Sequence, residues 1–149
     1  MESHKYSFEN SIGRLNREIT VNLGHILKIR FTEKGHNIKP IEWVALGYIY
    51  HNEGLTQIRL SELLGHNKVR VKRIVDILEE KKYVKRKSIK SDKRFNSLMI
   101  TPSGKLDFDQ LSKIASEVLN QSLQDLSEEE ILAYLEVSNK ISTNIKSLL

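Results

Sequence analysis

The chain has 149 residues, 39% of them apolar and 29% charged, with no cysteine and a net charge of +5 at neutral pH. That is the size and composition of one globular domain. It excludes disulfides, thiolate metal sites and thiol redox sensing, and the lack of any apolar run of about 18 residues argues against a membrane-spanning helix.

Apolar residues at Ile12, Leu15, Ile19, Leu23, Ile26 or Leu27 and Phe31 recur in steps of three and four. This predicts a long helix from about Phe8 to Glu33, ended by Gly35-His36-Asn37. Pro40 suits the first turn of a second helix carrying Ile41, Trp43, Val44, Leu46, Ile49 and Tyr50, because that position has no use for the missing N–H. Thr56 is the expected cap of a short third helix with Leu60, Leu63 and Leu64 inward, and Gly65 its left-handed stop. Asn67 then caps a fourth helix, Lys68 to Lys81, with Val71, Ile74, Val75 and Leu78 inward. Two short helices about a tight turn containing glycine make a helix-turn-helix.

Beyond Lys82 the pattern changes to strands, at Tyr83–Ile89 and Phe95–Ile100, joined by the polar Lys90-Ser91-Asp92-Lys93-Arg94, which reads as a hairpin with a charged tip. Thr101-Pro102 opens a fifth helix through Leu106, Leu111, Ile114, Val118 and Leu123. Ser127 with Glu130 is a capping box for a last helix carrying Ile131, Leu135, Ile141, Ile145 and Leu148.

Charge is unevenly spread. Between His66 and Arg94 stand twelve Lys or Arg against four acids, a local balance of +8 where the whole chain has +5. Such a concentration marks a surface for a polyanion, although a solvated charged face would look the same. Its placement on a helix-turn-helix favours duplex DNA. Lys68, Arg70, Lys72 and Arg73 occupy outer positions in the first turn and a half of the recognition helix, where side chains reach base edges or phosphates in the major groove. At the hairpin tip, Lys90, Lys93 and Arg94 are cationic, and Arg94 suits a minor groove. Asp92 either aims Arg94 through a charge-assisted bond or is simply a turn residue; spacing leaves both open. The five histidines, at 4, 25, 36, 51 and 66, show no metal-ligand spacing, and no phosphate loop, nucleophile or carboxylate dyad stands out. No metal, cofactor or enzymatic activity is expected. The opening Met1-Glu2-Ser3-His4-Lys5 has no apolar core behind it, so the expected location is cytoplasmic.

These residues resemble the MarR family of winged helix-turn-helix regulators. The likeness lies in Thr56–Gly65, in Asn67–Leu78 followed by Glu79-Glu80-Lys81, in the Asp-x-Arg of Ser91-Asp92-Lys93-Arg94, in the exit Leu98–Lys105 and in the entry Pro40–Trp43. The resemblance implies a mainly α fold with a small β-hairpin wing: one domain over 1–149, with a DNA-binding part at 56–101 and dimerisation helices at 8–34 and 106–149. It implies a homodimer on a palindromic operator, usually as a repressor, with Arg94 in the minor groove and Asp92 positioning it. Many members also bind small aromatic acids, so an effector is a further expectation, with Trp43, Tyr48 and Tyr50 able either to line its pocket or to belong to the core. The contrasting expectation is a winged-helix protein-interaction module without specific DNA binding. Two departures stand out. Lys82 occupies a position commonly glycine, which predicts a different or strained turn. Arg70 and Lys72 stand where small hydroxyl residues are common, which shifts the balance from reading bases to holding phosphates.

Overall fold

The computed structural model describes residues 4–88 and 96–149. Six helices and one hairpin follow in order: α1 (Ile12–Glu33), α2 (Pro40–His51), α3 (Gln57–Leu64), α4 (Lys68–Glu80), β1 (Val84–Ser88), β2 (Asn96–Ile100), α5 (Pro102–Ser122) and α6 (Glu128–Lys146). The chain forms two compact units, Met1–Ala115 and Ser116–Leu149. Among the described residues no helix is long and apolar enough to cross a membrane.

The helix boundaries follow their caps. α1 starts four residues later than periodicity predicts, because the segment before it has another use. The Arg14 guanidinium donates to the carbonyls of Phe8 (3.2 Å) and Glu9 (2.7 Å), and Ser11 accepts from Arg14 N as the cap. Phe8 is thus held outside the helix, with the Arg14 guanidinium 5.9 Å from its ring centre. Lys39 N donates to Glu42 Oε2 at 3.0 Å, which closes the start of α2 behind Pro40. The Ser127–Glu130 box closes the start of α6 in both directions, at 2.8 and 3.2 Å.

The core of the first unit lies between α2, α3, α4 and the hairpin. Ala45, Leu46, Leu60, Val71, Val75, Leu78 and Leu98 are fully buried there, joined by Phe31 of α1 and Leu111 of α5. The strands pair antiparallel, with Val84 opposite Ile100 and Ser88 opposite Asn96. A third short segment pairs with β2: Leu98 N donates to Leu55 O at 2.7 Å, and Thr56 bridges Ser97. This ties the hairpin to the entry of α3.

The exit of α4 is strained, as Lys82 predicted. Its φ is +63°, left-handed for a non-glycine residue. Its carbonyl accepts from Thr101 Oγ1 (2.6 Å) and Ser103 Oγ (3.0 Å), so the cap of α5 holds the turn in place. A β-carbon in this region costs about 1–2 kcal/mol, and glycine would return about 0.4–1 kcal/mol of that through its freer unfolded state. Lys82→Gly should therefore stabilise the chain by about 0.5–1 kcal/mol, read as a higher denaturant midpoint at unchanged slope. A lower midpoint would show that the Lys82 side chain contributes more than its backbone costs.

Candidate nucleic-acid interface

Both helices of the helix-turn-helix are bounded by side-chain and glycine caps. Thr56 Oγ1 accepts from Arg59 N (3.1 Å), Gly65 stops α3 at φ +63°, and Asn67 Oδ1 accepts from Arg70 N at 2.9 Å to start α4. Val71, Ile74, Val75 and Leu78 anchor one face of α4 in the core. The opposite face is solvent-exposed and carries all four cations expected there.

The structure divides those cations into two pairs. At 100° per residue, Lys68 and Lys72 lie on one shoulder of the helix, and Arg70 and Arg73 on the other. Lys68 and Lys72 border a concavity shared with Gln57, Ser61, Arg86 and Asn96. Arg70 and Arg73 border a second one, beside Lys39 at the start of α2. By the same helical geometry Val69 lies between the pairs, 76% exposed, at the edge of the second concavity. Lys90, Asp92, Lys93 and Arg94 lie outside the described residues.

Arg86 is the residue that sequence reasoning missed. In sequence it is one cation of a charged run, yet its side chain is 19% exposed and bridges three partners. Its guanidinium contacts Asp76 Oδ1 at 2.6 Å, Glu79 Oε2, and Gln57 Oε1 at 3.3 Å. A strand residue is thereby bound to both helices of the helix-turn-helix. The signal was the period-two pattern: Val84 points inward, so Arg86 must also face α4, where Asp76 and Glu79 stand one turn apart. Asp76 also takes Lys72 Nζ at 2.7 Å. The hydrogen bond from Lys72, with that from Arg86 and the charges of both, holds the Asp76 carboxyl below the usual carboxylate range. The latch therefore contributes fully above that range and is lost as pH falls through the lowered value.

Where the hairpin meets α5, burial pushes the Tyr83 phenol up to about 12, aided by its hydrogen bond and charge interaction with Asp107. A raised phenol stabilises the fold below about pH 10, and the contribution disappears as pH rises through about 12. In an ultraviolet difference titration, Tyr83→Phe should remove one phenolate transition near pH 12. Loss of a transition near pH 10 instead would contradict this placement.

The aromatic residues pack on the core. Trp43 sits edge-on to Phe31 (5.7 Å) and stacks on Phe108 (6.1 Å), and Tyr50 meets Phe108 and His51 at 5.1 Å each. Trp43 Nε1 is buried and has no acceptor among the described residues. No group of His, Asp and Glu among those residues could hold a metal ion.

Residues 36–94 match the family model described as MarR family. Solved structures match over nearly the whole chain. A MarR protein from Peptoclostridium difficile aligns with a TM-score of 0.82 at 21% identity, covering 99% of this chain and 96% of that one. The S. aureus MepR–DNA complex aligns at 0.73 and 23% identity, covering 96% and 100%. Bordetella bronchiseptica BpsR, whose DNA binding is regulated by 6-hydroxynicotinic acid, aligns at 0.77 and 16% identity, covering 93% and 98%. The chain has the winged helix-turn-helix fold of these regulators.

Proposed function

From a chain whose residues 36–94 match the MarR family and whose fold is that of its regulators, we propose a homodimeric transcriptional repressor that binds a palindromic duplex. The observation that carries this reading is the exposed face of α4, a rigid helix presenting Lys68, Arg70, Lys72 and Arg73 away from the core. In this reading α4 enters the major groove and the four cations hold its walls. Lys90, Lys93 and Arg94 of the wing reach the neighbouring minor groove, with Asp92 orienting Arg94. MepR is recorded bound to DNA, which supports the reading by likeness of fold.

Two helices support the dimer. α1 leaves Ile12, Leu15 and Ile19 exposed at 55, 44 and 46%. α6 has no buried residue although Leu132, Leu135 and Ile145 recur along it. A helix with an apolar repeat and nothing buried calls for a partner, and a second copy supplies the same stripes across a two-fold axis. The dimer-forming parts are then 8–34 and 106–149, and they set the spacing of the two recognition helices. An effector fits the same reading. Trp43 Nε1 is a buried donor without an acceptor among the described residues, next to stacked rings, and the fold relative BpsR responds to an aromatic acid.

The test is duplex binding as a function of salt. Log affinity should fall linearly with log salt, and Lys72→Ala or Arg73→Ala should each reduce that slope by about 1. Weak binding with slopes unchanged in both variants would place the interface elsewhere. Affinity for a protein partner with no preference among duplexes would favour the interaction-module reading.

A further inference from the structure

We propose that Val69 is the residue by which α4 selects a thymine, through apolar contact with the C5 methyl group. The inference rests on the proposed function and names one determinant of its specificity. Val69 is the second residue of α4, at the end of the helix nearest the turn, and is 76% exposed. Its neighbours Val71 and Val75 on the same helix are fully buried in the core, whereas Val69 is not part of it. A β-branched residue is also a poorer helix former than the lysine or arginine around it. Neither packing nor helix propensity explains a valine at this place.

Its surroundings do explain it. Lys68 and Lys72 stand to one side and Arg70 and Arg73 to the other, so the helix meets a groove with cations toward both walls and a branched apolar tip on the midline. The next position on that midline, seven residues along, is Asp76, whose carboxylate is already taken by Lys72 and Arg86. At the end nearest the turn, the midline residue is therefore an apolar side chain with no hydrogen-bonding group of its own. Among the four bases only thymine shows a methyl group in the major groove. Long cations that hold phosphates carry little sequence information; a short rigid apolar side chain between them carries some.

The experiment uses the full chain and duplexes selected by it from a random pool. Each thymine of an enriched duplex is replaced in turn by deoxyuridine, which removes only the methyl group. At one thymine per half-site the replacement should weaken binding about fourfold, the factor for leaving one methyl group in water. Val69→Ala, which shortens the contact in both half-sites, should bind the thymine duplex more weakly, and its preference for thymine over uracil should shrink. Alanine is the better helix former, so the melting temperature should not fall. If every thymine can be replaced without loss, or if Val69→Ala keeps its response to uracil, the inference is overturned while the DNA-binding reading stands. If no duplex is enriched, the function itself is overturned and the inference with it.

Discussion

Gly104→Ala should destabilise the chain by about 3 kcal/mol, the upper range for forcing extra volume into a packed site. Gly104 lies in the first turn of α5, where its N–H donates to Thr101 Oγ1 at 3.0 Å. A β-carbon there would overlap the carbonyl oxygen of Tyr83 and come within 2.9 Å of Ile100 Cγ1. The Tyr83 carbonyl cannot swing away, because it accepts from Thr101 N at 2.9 Å and follows the strained Lys82. Either α5 moves off the hairpin or the hairpin base opens. For a chain of this length the loss corresponds to a fall in melting temperature of about 6–12 °C. A melting temperature within about 2 °C of the parent would show that the α5–hairpin junction has slack.

Arg86→Ala should cost less stability and more function. Three acceptors lose their donor at once, but Asp76 and Glu79 keep solvent access, with 44 and 42% of their side chains exposed. The loss in stability is therefore nearer about 1–2 kcal/mol than the value for a buried pair. Duplex affinity should fall at least about tenfold, a factor set by about 1.4 kcal/mol. Two carboxylates would be released beside the surface proposed to face phosphate, and the hairpin would lose its tie to α3 and α4. Arg86→Lys should recover only part of this, since one ammonium cannot span Gln57, Asp76 and Glu79 as the planar guanidinium does. Full affinity in Arg86→Ala, measured at the same salt, would remove the latch from the account. As pH falls through the lowered Asp76 value, the parent protein should lose the Asp76 part of this contact.

Much of the fold was legible because local signals punctuate it. Thr56, Gly65, Asn67, Pro40 and the Ser127–Glu130 box each act within four residues of themselves, and each capping or turn role is found in place. Lys82 was legible as a departure, and its positive φ is the physical form of it. What escaped were contacts between distant residues. Arg86 and Gln57 are 29 positions apart, and no periodicity links them. The pairing of Leu55 with Leu98 likewise gives the hairpin a short third segment that composition does not announce. The start of α1 was misplaced because Phe8 continues the apolar pattern, while its carbonyl is spent on Arg14. At the interface, the identities of the α4 cations were readable but their grouping was not. The count of basic residues hid the division into two shoulders and the valine between them.

In the proposed dimer, two copies of this chain read a duplex through α4 of each. Selection of bound duplexes from a random pool tests it most directly. The expected result is enrichment of an inverted repeat whose half-sites are about one helical turn apart, about 10–10.5 base pairs between centres. A pool that remains random after selection, with binding that depends on salt alone, would contradict it.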